Sequence, residues 1–463
     1  MLLPVMLWPV VATVEIAEGS RVLNTHRTTT GTALPVAAAA AVALALGGCA
    51  AVTDSDGQTG TSSTGDTGQP GPRTPPSEKA QAAGQDPDRQ RAAVEAATTA
   101  AAQYDYAAAL GELEGFAGAE VSDLEQKITA EQSAAVRWED NSAIPHIFFH
   151  SLIVDPKRAF APGPDAAGYA DYMVTVKEFT AMLPALYDRG YVLVDPRDVA
   201  GKNGAGVMGY RPIELPAGKK PLVLSVDDVN YYEYMNDDGF ATNLTLDGDG
   251  ELTNTYIDAS GATTHGSFDV PTIVDDFVED HPDFSYRGAR GVLALTGYNG
   301  VLGYRTSDFT YPQDQKIDEK KQQATDVAAA LKEQGWVFAS HSWGHIDMSR
   351  ASPDHLQWDT AKWDQEVRPI LGDTDLLIYP FGADLGGAQP YSGAKYQLMD
   401  QDGFDYYFGI AATPWAQLTE DYLRQQRLIV DGMSMRAELA GQQDVLGRFF
   451  DVAEVYDPAR PRR

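Results

Sequence analysis

From Ile144 onward the chain alternates between two kinds of segment, and this rhythm restricts the fold more than any other feature. Short β-rich runs (PHIFFHSLIV, YVLVDP, PLVLSVDD, RGVLALTGY, WVFASHS, DLLIYPFG, DYYFGIAA, RLIV) are separated by helical periodicity in VKEFTAMLPALYDRG, PTIVDDFVEDH, KQQATDVAAALKEQG and HLQWDTAKWDQEVRPIL. Strand, helix, strand in repetition predicts an α/β fold of parallel strands joined by crossover helices. Eight such runs predict a barrel or an irregular relative of one, in which chemistry gathers at the carboxyl ends of the strands. One segment breaks the rhythm: FATNLTLDGDGELTNTYIDASGATTHG, residues 240–266, predicts a hairpin turning at Asp247, Gly248, Asp249 and Gly250, inside an insertion spanning 237–268.

The residues before the alternation read as an address and a tether. ALPVAAAAAVALALGGCA, residues 33–50, has the layout of a secretory signal, with Arg21, His26 and Arg27 upstream. Its Leu46-Gly47-Gly48-Cys49 ending resembles a bacterial lipobox and predicts lipidation of Cys49, with 1–49 as signal peptide. The first twenty or so residues fit no signal pattern, consistent with a start codon assigned too early. Residues 50–88, rich in Thr, Ser, Gly, Asp and Pro, predict a disordered linker. Residues 89–140 predict a helical hairpin split near Gly115 to Gly118, with Ser122 and Glu125 in the spacing of a capping box. The barrel domain is expected over 141–455.

Thirty-five basic against sixty-six acidic residues give a net charge of −31, which excludes nucleic acid as a partner and charge-driven docking on an anionic membrane. The single cysteine excludes an internal disulfide.

At the expected strand ends stand His150, the pair Asp227 and Asp228, His341 and His345, and Tyr379-Pro380-Phe381-Gly382. Two histidines four apart fall on one face of a helical turn, and a carboxylate from another strand would complete a three-ligand metal site with an open position. One aspartate then ligates while its neighbour stays free, the cation offsetting their repulsion. Read singly, a paired aspartate is also a common turn or helix cap. Tyr231, Tyr232 and Tyr234 either line a sugar-binding groove or pack under the insertion, and Trp343 reads as pocket wall or as core.

Over roughly residues 144–450 the sequence resembles the polysaccharide deacetylases of carbohydrate esterase family 4. SVDD is similar to the family's T-F-D-D motif, HSWGH to its H-[ST]-x-x-H motif, and YPFG to the Pro-aromatic-Gly part of its third motif. The resemblance implies a distorted (β/α) barrel of the polysaccharide deacetylase type, a divalent cation such as Zn²⁺ on Asp228, His341 and His345, and Asp227 as general base. Three departures stand out: Val229 replaces the usual glycine, Ile378 replaces a frequent arginine, and no histidine follows His355 to serve in a late L-x-H motif. A branch acting on exported poly-N-acetylglucosamine carries its acid in an early Y-H motif, which FFHSLI resembles, so His150 is the expected general acid. Tyr379, Pro380, Phe381, Trp343 and Tyr231 are the expected substrate-binding residues. The implied activity is removal of N-acetyl groups from a cell-surface or cell-wall amino-sugar polymer by a monomer held at the outer face of the bacterial membrane through lipid alone. The alternative is a non-catalytic surface lipoprotein that binds glycan or a partner on the same fold.

Overall fold

Seven strands close into a parallel ring: β1 (His146–Phe149), β2 (Lys220–Val226), β3 (Gly291–Leu295), β4 (Trp336–Ser340), β5 (Leu376–Ile378), β6 (Tyr406–Ile410) and β7 (Leu423–Ile429). Each pairs with its successor in the chain, and β7 pairs with β1 through Leu428 opposite Ile147. The computed structural model describes residues 86–461, so the expected signal, the lipobox Cys49 and nearly all of the tether lie outside the described residues. The distorted α/β barrel anticipated from the alternation is the observed fold.

All eight expected runs form strands, but the second, Tyr191–Leu193, stands outside the ring. It takes the first half of one edge of β2, Lys220 to Leu222, while β3 takes the same edge further along at Ser225 and Val226. Both faces of β2 are covered, which is why its sequence is almost unbroken in apolar residues. Leu222, Leu224 and Val226 pack in one cluster with α1 (Val176–Asp188), α2 (Val270–Asp280) and α3 (Ile317–Gln334), through residues such as Phe179, Val274 and Leu331. Val223 joins a second cluster with Val292, Ala294, Ile378 and Phe408. The alternation aims Ser225 and then Asp227 to that same inner side.

The segment before the barrel holds three helices, Pro87–Ala102, Tyr106–Glu112 and Ala119–Ala134, where two were expected. Tyr104 at φ 63° breaks the first, and Asp105 caps the second by accepting from the Ala108 N–H. The first helix begins at Pro87 under an Asp86 cap, inside the expected linker. The anticipated capping box is absent: the third helix starts a turn earlier, after Gly118 at φ 135°, which puts Ser122 and Glu125 in its interior. Ala97, Tyr104, Leu113 and Ile128 share the apolar cluster of Val223 and Val292, so these helices are packed onto the barrel.

The insertion is a three-stranded antiparallel meander, Asn243–Leu246, Leu252–Ile257 and Thr263–Gly266, and not a single hairpin. Its first turn falls where expected, with Asp247 accepting from Asp249 and Glu251; Asp258 builds a second turn in the same manner through Ser260 and Ala262. The sequence hid that second turn because Ser and Ala replace the Asp-Gly repeat of the first.

Thr175 opens α1 with a reciprocal cap: its hydroxyl accepts from the Glu178 N–H, and the Glu178 carboxylate accepts from the Thr175 N–H. Thr175→Ala is expected to cost about 1–2 kcal/mol, the upper part of the capping range, because the site is fully buried. A urea titration reads this as a lower midpoint with an unchanged slope; an unmoved midpoint refutes it.

Candidate metal and catalytic site

Asp227 continues the inward alternation of β2, but Asp228 leaves it. At φ 62° its backbone is left-handed, and its carboxylate turns toward the loop that follows β4. That conformation is held from below by Asn230, which donates to the carbonyls of Thr296 and Gly300 and accepts from the Thr296 N–H. Arg305 adds bonds to the Asn230 and Tyr231 carbonyls. Val229, where the family pattern has glycine, is fully buried among Tyr231 and Leu302, so its side chain is absorbed by packing.

His341 and His345 meet Asp228, although not on the helical turn that their spacing predicted. They flank an irregular loop in which Ser342 and His345 have φ of 56° and 53°. Helix α4 (Pro353–Glu366) imposes this shape: Asp359 accepts from the Trp343 and Gly344 N–H groups at 2.7 and 2.8 Å, and Glu366 accepts from the Trp343 indole at 2.8 Å. The His341 Nδ1 lies 2.8 Å from the Ile378 carbonyl, which can only accept, so Nδ1 carries a proton and, in the neutral ring, the lone pair is on Nε2. Nε2 of His341 is 4.0 Å from Asp228 Oδ1, and Nε2 of His345 is 3.7 Å from Oδ2.

One donor atom from each of the three residues lies within 4.8 Å of the others. Donors about 2.1 Å from a shared ion in tetrahedral array stand roughly 3.4 Å apart, so only a small contraction separates this set from a ligand sphere. The charge states fit as well. Burial alone would raise the Asp228 pKa, but the neighbouring His345, His341 and His150 and the Tyr232 hydroxyl bring it below the ordinary value. Burial pulls His345 down to about 4 against the attraction of Asp228. An ionised Asp228 carboxylate and a neutral His345 imidazole are protonation states that a dication requires of its ligands.

Asp227 is gripped by a residue that the sequence reading passed over. Arg427 of β7 donates to both its oxygens, at 2.6 and 2.9 Å, with the guanidinium fully buried. Burial would raise the Asp227 pKa; the charges of Arg427 and His341 and the Arg427 hydrogen bonds outweigh it and bring the group to about 2. Arg427 also donates to Ser225 Oγ, which is 2.9 Å from His146 Nε2, while His146 Nδ1 faces Gln425 Oε1 at 3.2 Å. Since the amide oxygen only accepts, Nδ1 is protonated and Ser225 donates to Nε2, giving a fully satisfied chain from Gln425 to Asp227. Burial, with Arg427 nearby, keeps His146 neutral, well below the ordinary range. The signal that would have found this chain is the inward set Gln425 and Arg427 at period two in LRQQRLI.

His150 follows β1 at the same mouth. Its positive form would act on Asp227, Asp228 and the buried Asp431, and its Nδ1 is buried without a hydrogen-bond partner. Of the expected substrate-binding residues, Tyr231, Trp343, Tyr379 and Pro380 are buried: Tyr231 bonds Asn254, Trp343 is fastened by Glu366, and Tyr379 bonds Tyr391. Phe381 is the exception, 57% exposed, at φ 60°, its ring 4.4 Å from that of His345. Tyr234, 44% exposed, offers a second aromatic surface nearby, stacked on Tyr232.

No curated protein matches the chain. Among solved structures it is similar to the Streptococcus pyogenes deacetylase PplD in complex with acetate, at 16% identity and a TM-score of 0.36 over 66% of this chain and 98% of that one. It is also similar to a de-N-acetylase from Aggregatibacter actinomycetemcomitans, at 13% identity and a TM-score of 0.35 over 62% and 95% of the two chains. Residues 307–406 match the family model described as polysaccharide deacetylase, a span that holds His341, His345 and the YPFG turn. That match takes in less than a quarter of the chain; with the SVDD, HSWGH and YPFG motifs in order around one barrel, it makes this part of the chain similar to the polysaccharide deacetylases.

Proposed function

We propose that the chain is a metal-dependent hydrolase removing N-acetyl groups from an amino-sugar polymer of the bacterial cell surface or wall. The similarity of residues 307–406 to the polysaccharide deacetylase model supports deacetylation as the reaction. The metal reading rests on one observation, the convergence of Asp228, His341 and His345 with donor atoms within 4.8 Å of one another. A divalent cation bound there, Zn²⁺ by the preference of two imidazoles and a carboxylate, would supply Lewis acidity toward a water and the acetamide carbonyl. Asp227, kept ionised by Arg427, accepts the proton released as water attacks; each oxygen retains a lone pair beyond its bond to Arg427. His150 delivers a proton to the amine nitrogen as the C–N bond breaks, because an amide anion is a poor leaving group. Phe381 and Tyr234 offer apolar faces on which sugar rings can stack.

In this reading the lipid on Cys49 and the polar segment after it hold the barrel just outside the membrane, and the strong negative charge suits a solvated exterior. Among the described residues no helix is long and apolar enough to cross a membrane. The test is acetate release from chitooligosaccharides and purified peptidoglycan by the full chain, first chelated and then reloaded with Zn²⁺. Release should vanish on chelation and return with the metal. Tight Zn²⁺ binding with no acetate from any acetylated glycan would leave only the non-catalytic binding protein.

A further inference from the structure

The Asp228 carboxylate is approached from three sides. Oδ2 faces His345, and Oδ1 faces both His341 and, at 2.5 Å, the hydroxyl of Tyr232. An ionised carboxylate only accepts, so Tyr232 is the donor in that bond; Thr296 Oγ1, 2.9 Å from the same phenol oxygen, must then donate to it. A directed chain results, from Thr296 through Tyr232 to Asp228.

Both ends of this chain are anchored. Thr296 directly follows β3, and its backbone N–H and carbonyl are both bonded by the Asn230 side chain, so the loops carrying donor and acceptor are tied to each other. The Tyr232 ring is 4% exposed and flanked by the nearly parallel rings of Tyr298 at 5.4 Å and Tyr234 at 5.5 Å. Its hydroxyl therefore has little freedom to leave Asp228. The carboxylate, by contrast, belongs to a residue that has left the strand at a positive φ and needs an external constraint to keep one rotamer.

We propose that Tyr232 is a positioning residue for the metal site, its hydroxyl holding Asp228 in the orientation that presents the carboxylate to His341 and His345. The proposal rests on the metal reading above. Outer hydrogen bonds of this kind fix the direction of a ligand before the metal arrives, and their loss typically weakens metal affinity about 10–100-fold.

The test uses the full chain and reads the metal rather than turnover. Tyr232→Phe removes the hydroxyl and keeps the stacked ring, so the far-ultraviolet circular dichroism and the metal-free melting midpoint should stay near those of the parent. The Zn²⁺ dissociation constant, measured by competition with a chromophoric chelator, should rise about 10–100-fold. The visible absorption of the Co²⁺-loaded chain should shift as the carboxylate reorients. Thr296→Val, which spares Tyr232 but removes its donor, should weaken Zn²⁺ binding in the same direction by less, and it decides the matter if Tyr232→Phe fails to fold. A Tyr232→Phe constant within about twofold of the parent overturns the proposal and leaves the metal reading standing, because the expected loss is at least tenfold. A parent chain that binds no Zn²⁺ overturns both.

Discussion

Asp227→Asn is expected to lower acetate release by about 10²–10⁴-fold, the range for loss of a general base, while Zn²⁺ binding persists. Asparagine keeps the size of the side chain but cannot take up a proton, and Asp228, His341 and His345 are left in place. The substitution has a second consequence that identifies the local structure. Arg427 is fully buried and gives both its terminal nitrogens to Asp227; with a neutral amide opposite, its charge loses its counter-ion. Removing one partner of a buried pair costs on the order of 3–5 kcal/mol, and the remaining amide oxygen, still an acceptor, sets the expectation at the low end. Turnover, bound metal and a denaturant midpoint should therefore separate: the first nearly lost, the second kept, the third lowered. A variant that keeps turnover within about threefold of the parent contradicts the assignment of Asp227 as base, since even the weakest general base contributes about a hundredfold.

The aspartate pair also marks where sequence reading succeeds. Most strands were legible because both faces of a closed parallel ring are covered, which writes them as apolar runs with a polar group at the carboxyl end. Asp227, Asp228, His341 and His345 all stood out for that reason. What stayed hidden depends on partners distant in the chain. The four-residue spacing of the histidines is the same in a helix and in a loop, and only Asp359 and Glu366, reaching over from α4, decide for the loop. Arg427 reads as one more charge in a surface strand until Asp227, 200 residues earlier, is placed beside it. Tyr231 and Tyr234 have similar local surroundings in sequence, yet the insertion meets the first through Asn254 and leaves the second exposed. No local pattern encodes that difference. The closure of β7 on β1 is likewise a pairing between the two ends of the domain, and the side strand Tyr191–Leu193 carries the same apolar signature as the strands of the ring.

His150→Gln should lower acetate release from an N-acetylated oligosaccharide by about 10²–10⁴-fold with bound metal unchanged, as befits a lost general acid. His150 stands at the end of β1, beside the aspartate pair, with its Nδ1 buried and free of a protein partner. The protein leaves this ring nitrogen unbonded, whereas His146, four residues earlier, has both nitrogens engaged and serves the Arg427 chain instead. The decisive comparison is between leaving groups. An amine departs from a tetrahedral adduct only once protonated, so cleavage of the amide needs the acid. A nitrophenolate departs unaided, so hydrolysis of 4-nitrophenyl acetate should suffer far less from the same substitution. If His150 merely supports the mouth of the barrel, both substrates lose rate in equal proportion. A loss confined to the amide identifies the proton donor; parallel losses, or none, remove His150 from the reaction and leave the source of that proton to be sought elsewhere around the site.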